Sequence, residues 1–370
     1  MNSSLQADVP QDMAGRTEPP RPGEVFRAFL KLGLTSFGGP VAHLGYFRDE
    51  LVLRRKWIDE AGYADLVALC QFLPGPASSQ VGFALGLLRG GPLGGLAAWC
   101  AFTLPSAALL VLFAMGAGAF GGPVGSGLVH GLKLVAVAVV AQAVWGMARS
   151  LAPDRPRAAI ALLSVFVVVF ATGSIGQIAA ILAGSLLGVW LCRDGAPASP
   201  AHLAFALSRR AGACALAAAC LLLAALPLAA AASGSHALAL FDVFYRAGAL
   251  VFGGGHVVLP LLETAVVRPG WIDANGLLAG YGAAQAVPGP LFSFAAFLGA
   301  AMEPWPNGML GAAICLVGIF VPGLLLVAGA LPFWNALRRR PLAQAAMRGA
   351  NAAVVGVLAA ALYSPVWTSA

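Results

Sequence analysis

Two stretches of this sequence combine a broken backbone with polar side chains inside otherwise apolar runs. They are Gln71-Phe72-Leu73-Pro74-Gly75-Pro76, followed by Ser78 and Ser79, and Gln285-Ala286-Val287-Pro288-Gly289-Pro290, followed by Ser293. Each proline lacks an amide donor and its ring clashes with the preceding turn, so neither triplet continues a helix. In an apolar medium the freed backbone groups need partners, and such a break is tolerated only against protein or a polar cavity. A half-helix restarting after Pro76 or Pro290 presents free amides and the positive end of its dipole. Ser36 adds a hydroxyl, and Gly38-Gly39 and Gly253-Gly254 let the backbone approach a ligand closely and form amide nests. The chemistry this set suits is coordination of a small oxyanion rather than bond making.

The ionisable residues embedded in the apolar runs agree in sign. They are mainly basic: Lys31 and Arg246, Lys133 and Arg348, with the titratable His130 and His256. The carboxylates Asp49, Glu50, Asp59, Asp65, Glu263, Asp273 and Glu303 fall at segment ends or in loops. Each cation also has a plainer reading. Lys31 and Arg246 lie near segment starts and could snorkel to headgroups, and Arg348 lies near a helix start. His130 and His256 serve equally well as hydrogen-bonded packing residues. Trp57 and Trp271 are most simply interface anchors.

The elements that must position these residues are membrane helices. The chain has 370 residues, 59% of them hydrophobic and 10% charged, with a mean hydropathy of +0.84. Soluble domains carry roughly 25% charged residues. The windows Gly90–Leu132, Ala158–Leu191, Ala211–Phe241, Ala274–Met302 and Pro304–Leu337 contain no Asp, Glu, Lys or Arg. Each is long enough for a crossing at about 20 residues. The runs are continuously apolar rather than alternating, which argues against a barrel. The formal charge of +7 lies mostly between apolar segments, where it sets orientation and is no sign of nucleic-acid binding. The six cysteines are scattered without a C-x-x-C or Cys/His cluster and read as small core residues. No metal or cofactor is expected.

The chain repeats itself. Trp57-Ile58-Asp59 recurs as Trp271-Ile272-Asp273 and Pro74-Gly75-Pro76 as Pro288-Gly289-Pro290 at an identical offset, with Gln71/Gln285 and Ser79/Ser293 carried along. Gly38 recurs as Gly253 and Lys31 as Arg246 at nearly the same offset. Pro322 answers Pro105 in the following long helix. Order and spacing both hold over about 120 residues, the signature of an internal repeat. The division is a disordered cytoplasmic tail over 1–23, a first repeat over 24–150, linking helices over 151–240 and a second repeat over 241–364. About three linking helices, an odd number, invert the second repeat relative to the first. The basic Arg54-Arg55-Lys56 becomes Arg268-Pro269-Gly270, a loss expected of a loop moved to the outer face. A re-entrant first segment keeps Arg54-Arg55-Lys56 inside. The expected fold is therefore an all-α polytopic membrane protein of two inverted-topology repeats with broken or re-entrant helices, in which paired breaks meet near the midplane and form the substrate site.

The chain resembles the chromate ion transporter family in its long, two-domain form. The features that carry this are Phe37-Gly38-Gly39-Pro40 with Phe252-Gly253-Gly254-Gly255, Lys56-Trp57-Ile58-Asp59 with Gly270-Trp271-Ile272-Asp273, and the two Pro-Gly-Pro triplets. The resemblance implies efflux of chromate, with sulfate as a structural analogue, across the bacterial inner membrane, and resistance to chromate. The partners expected are a small inorganic oxyanion, the lipid bilayer, a coupling proton or other ion, and a second copy of the chain in a homodimer. Transport of another solute, such as sulfate or a small organic acid, stays open, because motif and fold do not fix the ion. An intramembrane enzyme is disfavoured: the sequence has no H-E-x-x-H and no G-x-S-x-G. A P-loop is absent as well, which points to an ion gradient or the membrane potential as the energy source.

Overall fold

The computed structural model describes residues 21–116, 151–171, 174–193, 207–251, 258–334 and 340–363, with scattered helical positions in 127–149. Of the expected tail only residues 21–23 are described, and helix α1 already begins at Pro22. His130, Lys133, Gly253, Gly254 and His256 lie outside the described residues.

The protein is an all-α membrane protein, and no strand occurs among the described residues. The first series runs α1 (Pro22–Thr35), α2 (Gly39–Phe47), a π-helical turn (Arg48–Arg54), α3 (Glu60–Phe72) and α4 (Ala77–Gly116). Two linking helices follow as a pair, α5 (Arg155–Phe170) and α6 (Ser174–Leu191), then a third, α7 (Arg209–Ser233). The second series is α8 (His236–Leu250), α9 (Val258–Leu262), a π-helical turn (Glu263–Val267), α10 (Ala274–Ala286), α11 (Phe294–Ala301) and α12 (Gly308–Ala330). The last helix is α13 (Pro341–Ala361). Four stretches are long and apolar enough to span a bilayer: Ala77–Gly116, Arg209–Ser233, Gly308–Phe333 and Pro341–Ala360.

Equivalent positions of the two series adopt equivalent structure. α3 and α10 are both 13 residues long and begin at matching points of the repeat, Glu60 and Ala274. Each is N-capped by an aspartate, Asp59 accepting from the Gly62 amide and Asp273 from the Gly276 amide, both at 2.8 Å. Such a cap satisfies one of the amides that a helix start leaves unpaired. Each helix stops at an extended residue, Leu73 or Val287, just before Pro-Gly-Pro. The packing repeats too. α1 lies along α4 and α8 along α12. The crossings are close because Gly33 meets the Ala101 and Phe102 backbone, while Gly248 meets the Ile319 backbone.

The long α4 is interrupted at Gly91 (φ 62°, ψ −160°), within Gly90-Gly91-Pro92. The linking helices pack unevenly: α13 lies against α5 and α6, while α7 lies against α8 and α12. Cys70, Cys192 and Cys315 are buried as expected of core residues, but Cys214 and Cys220 are exposed on α7. The reason is that α7 presents much of its apolar surface outward, as a lipid-facing helix does.

Candidate functional site

The two breaks are built alike and completed by each other's half. In the first, the Leu73 amide closes α3 onto the Leu69 carbonyl, and Pro74 and Pro76 have no amide to place. The remaining amide, that of Gly75, donates to the carbonyl of Val251 at the end of α8, at 2.6 Å. In the second, the Gly289 amide donates to the carbonyl of Ser36 at the end of α1, at 2.9 Å. Ser36 and Val251 themselves occupy matching positions in the two halves, the C-caps of α1 and α8. Every amide across the first triplet is thus accounted for, as a buried backbone requires. Amides left free over a shared cavity are what the sequence suggests; those of both central glycines are instead paired across the halves.

Glycine is required at both centres. Gly75 has φ +124° and Gly289 φ +106°, conformations that L side chains rarely adopt. A Cβ on Gly75 would lie 3.0 Å from the Gly323 Cα of α12, and one on Gly289 would lie 2.8 Å from the Ser106 hydroxyl of α4. The first break therefore packs on α12 and the second on α4. Gln80 ties the first contact down: its amide donates to the Pro74 carbonyl at 2.9 Å and to the Gly323 carbonyl at 3.0 Å.

The side chains around the two breaks differ sharply. The first break leads into Ser78, Ser79 and Gln80, all buried, and His43 of α2 packs over it. The His43 ring is 1% exposed, with Nδ1 3.5 Å from the Ser78 hydroxyl, an edge-to-face contact with Phe102 at 5.3 Å, and the Ser36 main chain beside it. At the matching positions of the second half stand Val258, Phe292, Ser293 and Phe294. Of that set only Ser293 is polar, and its hydroxyl is spent on the Pro290 carbonyl at 2.7 Å.

Several buried polar groups at and between the breaks are not spent. Among the described residues, Ser36 Oγ, Ser79 Oγ, Thr103 Oγ1, Gln80 Oε1 and His43 Nε2 are buried with no hydrogen-bond partner. Each unmatched buried donor or acceptor costs about 1–3 kcal/mol. Gln80, Ser79 and His43 lie by the first break, while Ser36 and Thr103 lie where α1 and α4 meet the second; together they are chemistry held ready for a ligand or for water.

The basic residues take other partners. Lys31 Nζ pairs with Glu50 Oε2 at 2.7 Å, and Glu50 is only 10% exposed at its side chain. Arg55 joins the same carboxylate at 2.9 Å. Arg246 pairs with Asp242 one turn back on α8. Lys31 and Arg246, at matching positions, are thus each neutralised within their own half. Arg348 donates to the Cys192 carbonyl at 2.9 Å and the Arg193 carbonyl at 3.3 Å, capping the end of α6, a role that uses the negative pole of that helix. Gln71 is exposed, while Gln285 is half-buried with its Nε2 unpartnered among the described residues. Gly38 (φ +93°) and Gly39 (φ +77°) form the turn between α1 and α2 that carries His43 toward the first break. Trp57 is no free interface anchor: its indole donates to Glu24 at 3.3 Å under the Arg55 and Arg89 guanidiniums. Beside it, Arg21, Gly23, Glu24, Arg27 and Arg55 line a cavity of about 570 Å³ with a positive excess.

Sequence reasoning singled out His130 and His256 and passed over His43 and Gln80. The available signal was asymmetry: His43, Ser78 and Gln80 face Val258, Phe292 and Phe294 when the repeats are set side by side.

Comparison with known proteins agrees with this architecture. A protein of Pseudomonas aeruginosa named as a chromate transport protein is 31% identical over 352 residues, covering 91% of this chain and 79% of that one. A probable chromate transport protein of Synechococcus elongatus is 29% identical, covering 90% and 82%. An uncharacterized transporter of Methanocaldococcus jannaschii is 24% identical over 95% of this chain and 86% of its own. No solved structure matches. The family described as Chromate transporter matches residues 23–189 and 238–370, two segments that each contain one Pro-Gly-Pro break, and the chain belongs to that family.

Proposed function

We propose that this protein carries chromate outward across the bacterial inner membrane, with sulfate as a competing analogue, and so confers resistance to chromate. The observation that carries the proposal is a set of buried hydroxyls without a partner among the described residues: Ser79 at the start of α4, Ser36, whose carbonyl receives the Gly289 amide, and Thr103, whose carbonyl receives the Ser106 hydroxyl that packs on Gly289. A tetrahedral oxyanion accepts hydrogen bonds on all sides. Hydroxyl donors next to a helix N-terminus supply them without a fixed positive charge. The name shared by the Pseudomonas and Synechococcus relatives supports chromate as the cargo.

In this reading the halves are inverted repeats, supported by the matched caps, breaks and crossings and by the three linking helices among the described residues. The site is occluded: the hydroxyls that would hold the anion are almost wholly buried. Opening requires the two breaks to part from α4 and α12, and the paired amides of Gly75 and Gly289 are the contacts that exchange. The Arg21, Arg27 and Arg55 cavity gathers the anion from the cytoplasmic face. Lys31 and Arg246, each held by a carboxylate, are proposed to stay in those pairs rather than to act as direct ligands.

The test is flux of isotopically labelled chromate into inside-out vesicles. Saturable uptake that sulfate competes away supports the proposal. Uptake that follows a small organic acid and ignores both oxyanions would replace it with the alternative of a carboxylate transporter.

A further inference from the structure

His43 makes few polar contacts within the fold: the Ser78 hydroxyl at 3.5 Å and the Ser36 main chain. It sits on α2, is 1% exposed and packs its edge against Phe102. The equivalent residue in the second half is Val258, also fully buried. Yet one ring nitrogen of His43 is unpartnered among the described residues, and the other is 3.5 Å from Ser78, beyond a well-formed hydrogen bond. An imidazole kept at such a place, where the matching half uses valine, has a use for its nitrogens.

Among the described residues no fixed charge contacts the ring. Its neighbours are the Ser78 hydroxyl, Phe102 and the Ser36 main chain. The ionisable groups on the surrounding elements are engaged elsewhere. Arg48 pairs with Glu60 and Glu50 with Lys31, while Arg54 joins Glu50 from the surface. Arg89 of α4 pairs with Glu24, Tyr63 of α3 donates to the Leu44 carbonyl, and Asp65 has a partner of its own. Asp49 is exposed, and Cys70 and Cys100 are thiols in apolar surroundings. Among the described residues no charge is left facing His43, and an anion seated at the first break would supply a strong field there.

We propose that His43 binds one proton together with the oxyanion, so that the first break loads an anion and a proton as a unit. The inference rests on the first break being the anion site. The neutral ring takes the proton from water as the anion enters, becomes imidazolium, and returns the proton to water as the anion leaves. A dianion then crosses with a net charge of −1, and at the second break the described position that matches His43 is Val258. Binding linkage requires reciprocity: if the anion favours the proton, acid favours the anion by the same factor. Coupling of this kind is worth about 5–150-fold in affinity.

The experiment is titration calorimetry of the purified full chain with sulfate, in buffers of different ionisation enthalpy, between pH 6 and pH 8. Sulfate remains a dianion throughout that range, whereas chromate takes up a proton itself. The expected result is proton uptake on sulfate binding that grows toward the acid end of the range, with binding correspondingly tighter there. His43→Gln should bind sulfate with no proton uptake and no pH dependence. His43→Asn and a thermal melt identify variants that fail to fold. The wild-type arm stands independently of them: sulfate binding without proton uptake overturns the inference. A purely packing role for His43 predicts lower melting temperature in the variants with wild-type proton uptake in whatever folds. Absence of any oxyanion binding by the wild type contradicts the site reading itself, a distinct outcome.

Discussion

The Gly75 amide donates to the Val251 carbonyl at 2.6 Å, across the boundary between the two halves of the chain. Its counterpart, Gly289 to Ser36, makes the same link in the other direction. Each half thus supplies the acceptor that the other's break needs, and neither break is satisfied alone. Replacing either glycine by alanine should cost about 1–3 kcal/mol from the positive φ alone, with more from the contacts at Gly323 or Ser106. Gly45→Ala on α2, where an added Cβ meets nothing within 4 Å, should leave the melt unchanged or raise it. Thermal melts in detergent check this; Gly75→Ala melting like Gly45→Ala would show that the link is unimportant.

The two break serines should behave in opposite ways. Ser293→Ala removes a satisfied hydroxyl and should lower stability by about 1 kcal/mol. Ser79→Ala removes one that is buried without a described partner, so stability should hold or rise. Denaturation midpoints of both variants under one condition decide it, and equal losses would remove the distinction between the breaks.

The placement of the breaks was legible in the sequence because Pro-Gly-Pro is a local signal. The helix bounds around them follow from the same prolines and from Asp59 and Asp273 as caps. What the breaks touch was not legible. Gly75 finds Val251 and Gln80 finds Gly323 across most of the chain, and no local pattern encodes that. The sign of the site was misleading for a related reason. Lys31 looks like a free embedded cation, but the π-helical turn at Arg48–Arg54 swings Glu50 onto it. His43 was overlooked because a lone histidine in an apolar stretch carries no motif; only comparison with Val258 marks it.

Glu50 lies in that turn, outside the four spanning helices, and the hydrogen bond from Lys31 holds its carboxyl below the usual range. A depressed carboxylate contributes stability above its unfolded value that is lost as the pH falls through its folded one. The wild type should therefore lose stability below the ordinary glutamate range, and Glu50→Gln should show a flatter acid limb. Lys31 is half exposed, so the pair is worth at most about 1 kcal/mol. Melts recorded from neutral pH into acid measure the difference, and parallel limbs would contradict it.

Inverted repeats make a prediction about sidedness. Single cysteines placed at Arg54 and at Pro269, in a chain freed of its six cysteines, should label from opposite faces, with position 54 inside. Labelling of both from one face would leave the repeats parallel.

The most direct measurement is concentration-dependent chromate flux in proteoliposomes, normalised to inserted protein, for the wild type, Ser79→Ala and Ser293→Ala. If the first break is the anion site, Ser79→Ala raises the half-saturation by about tenfold, equivalent to about 1.4 kcal/mol, while Ser293→Ala keeps the wild-type value. An unchanged half-saturation in Ser79→Ala with a raised one in Ser293→Ala would place the anion at the other break and contradict the assignment.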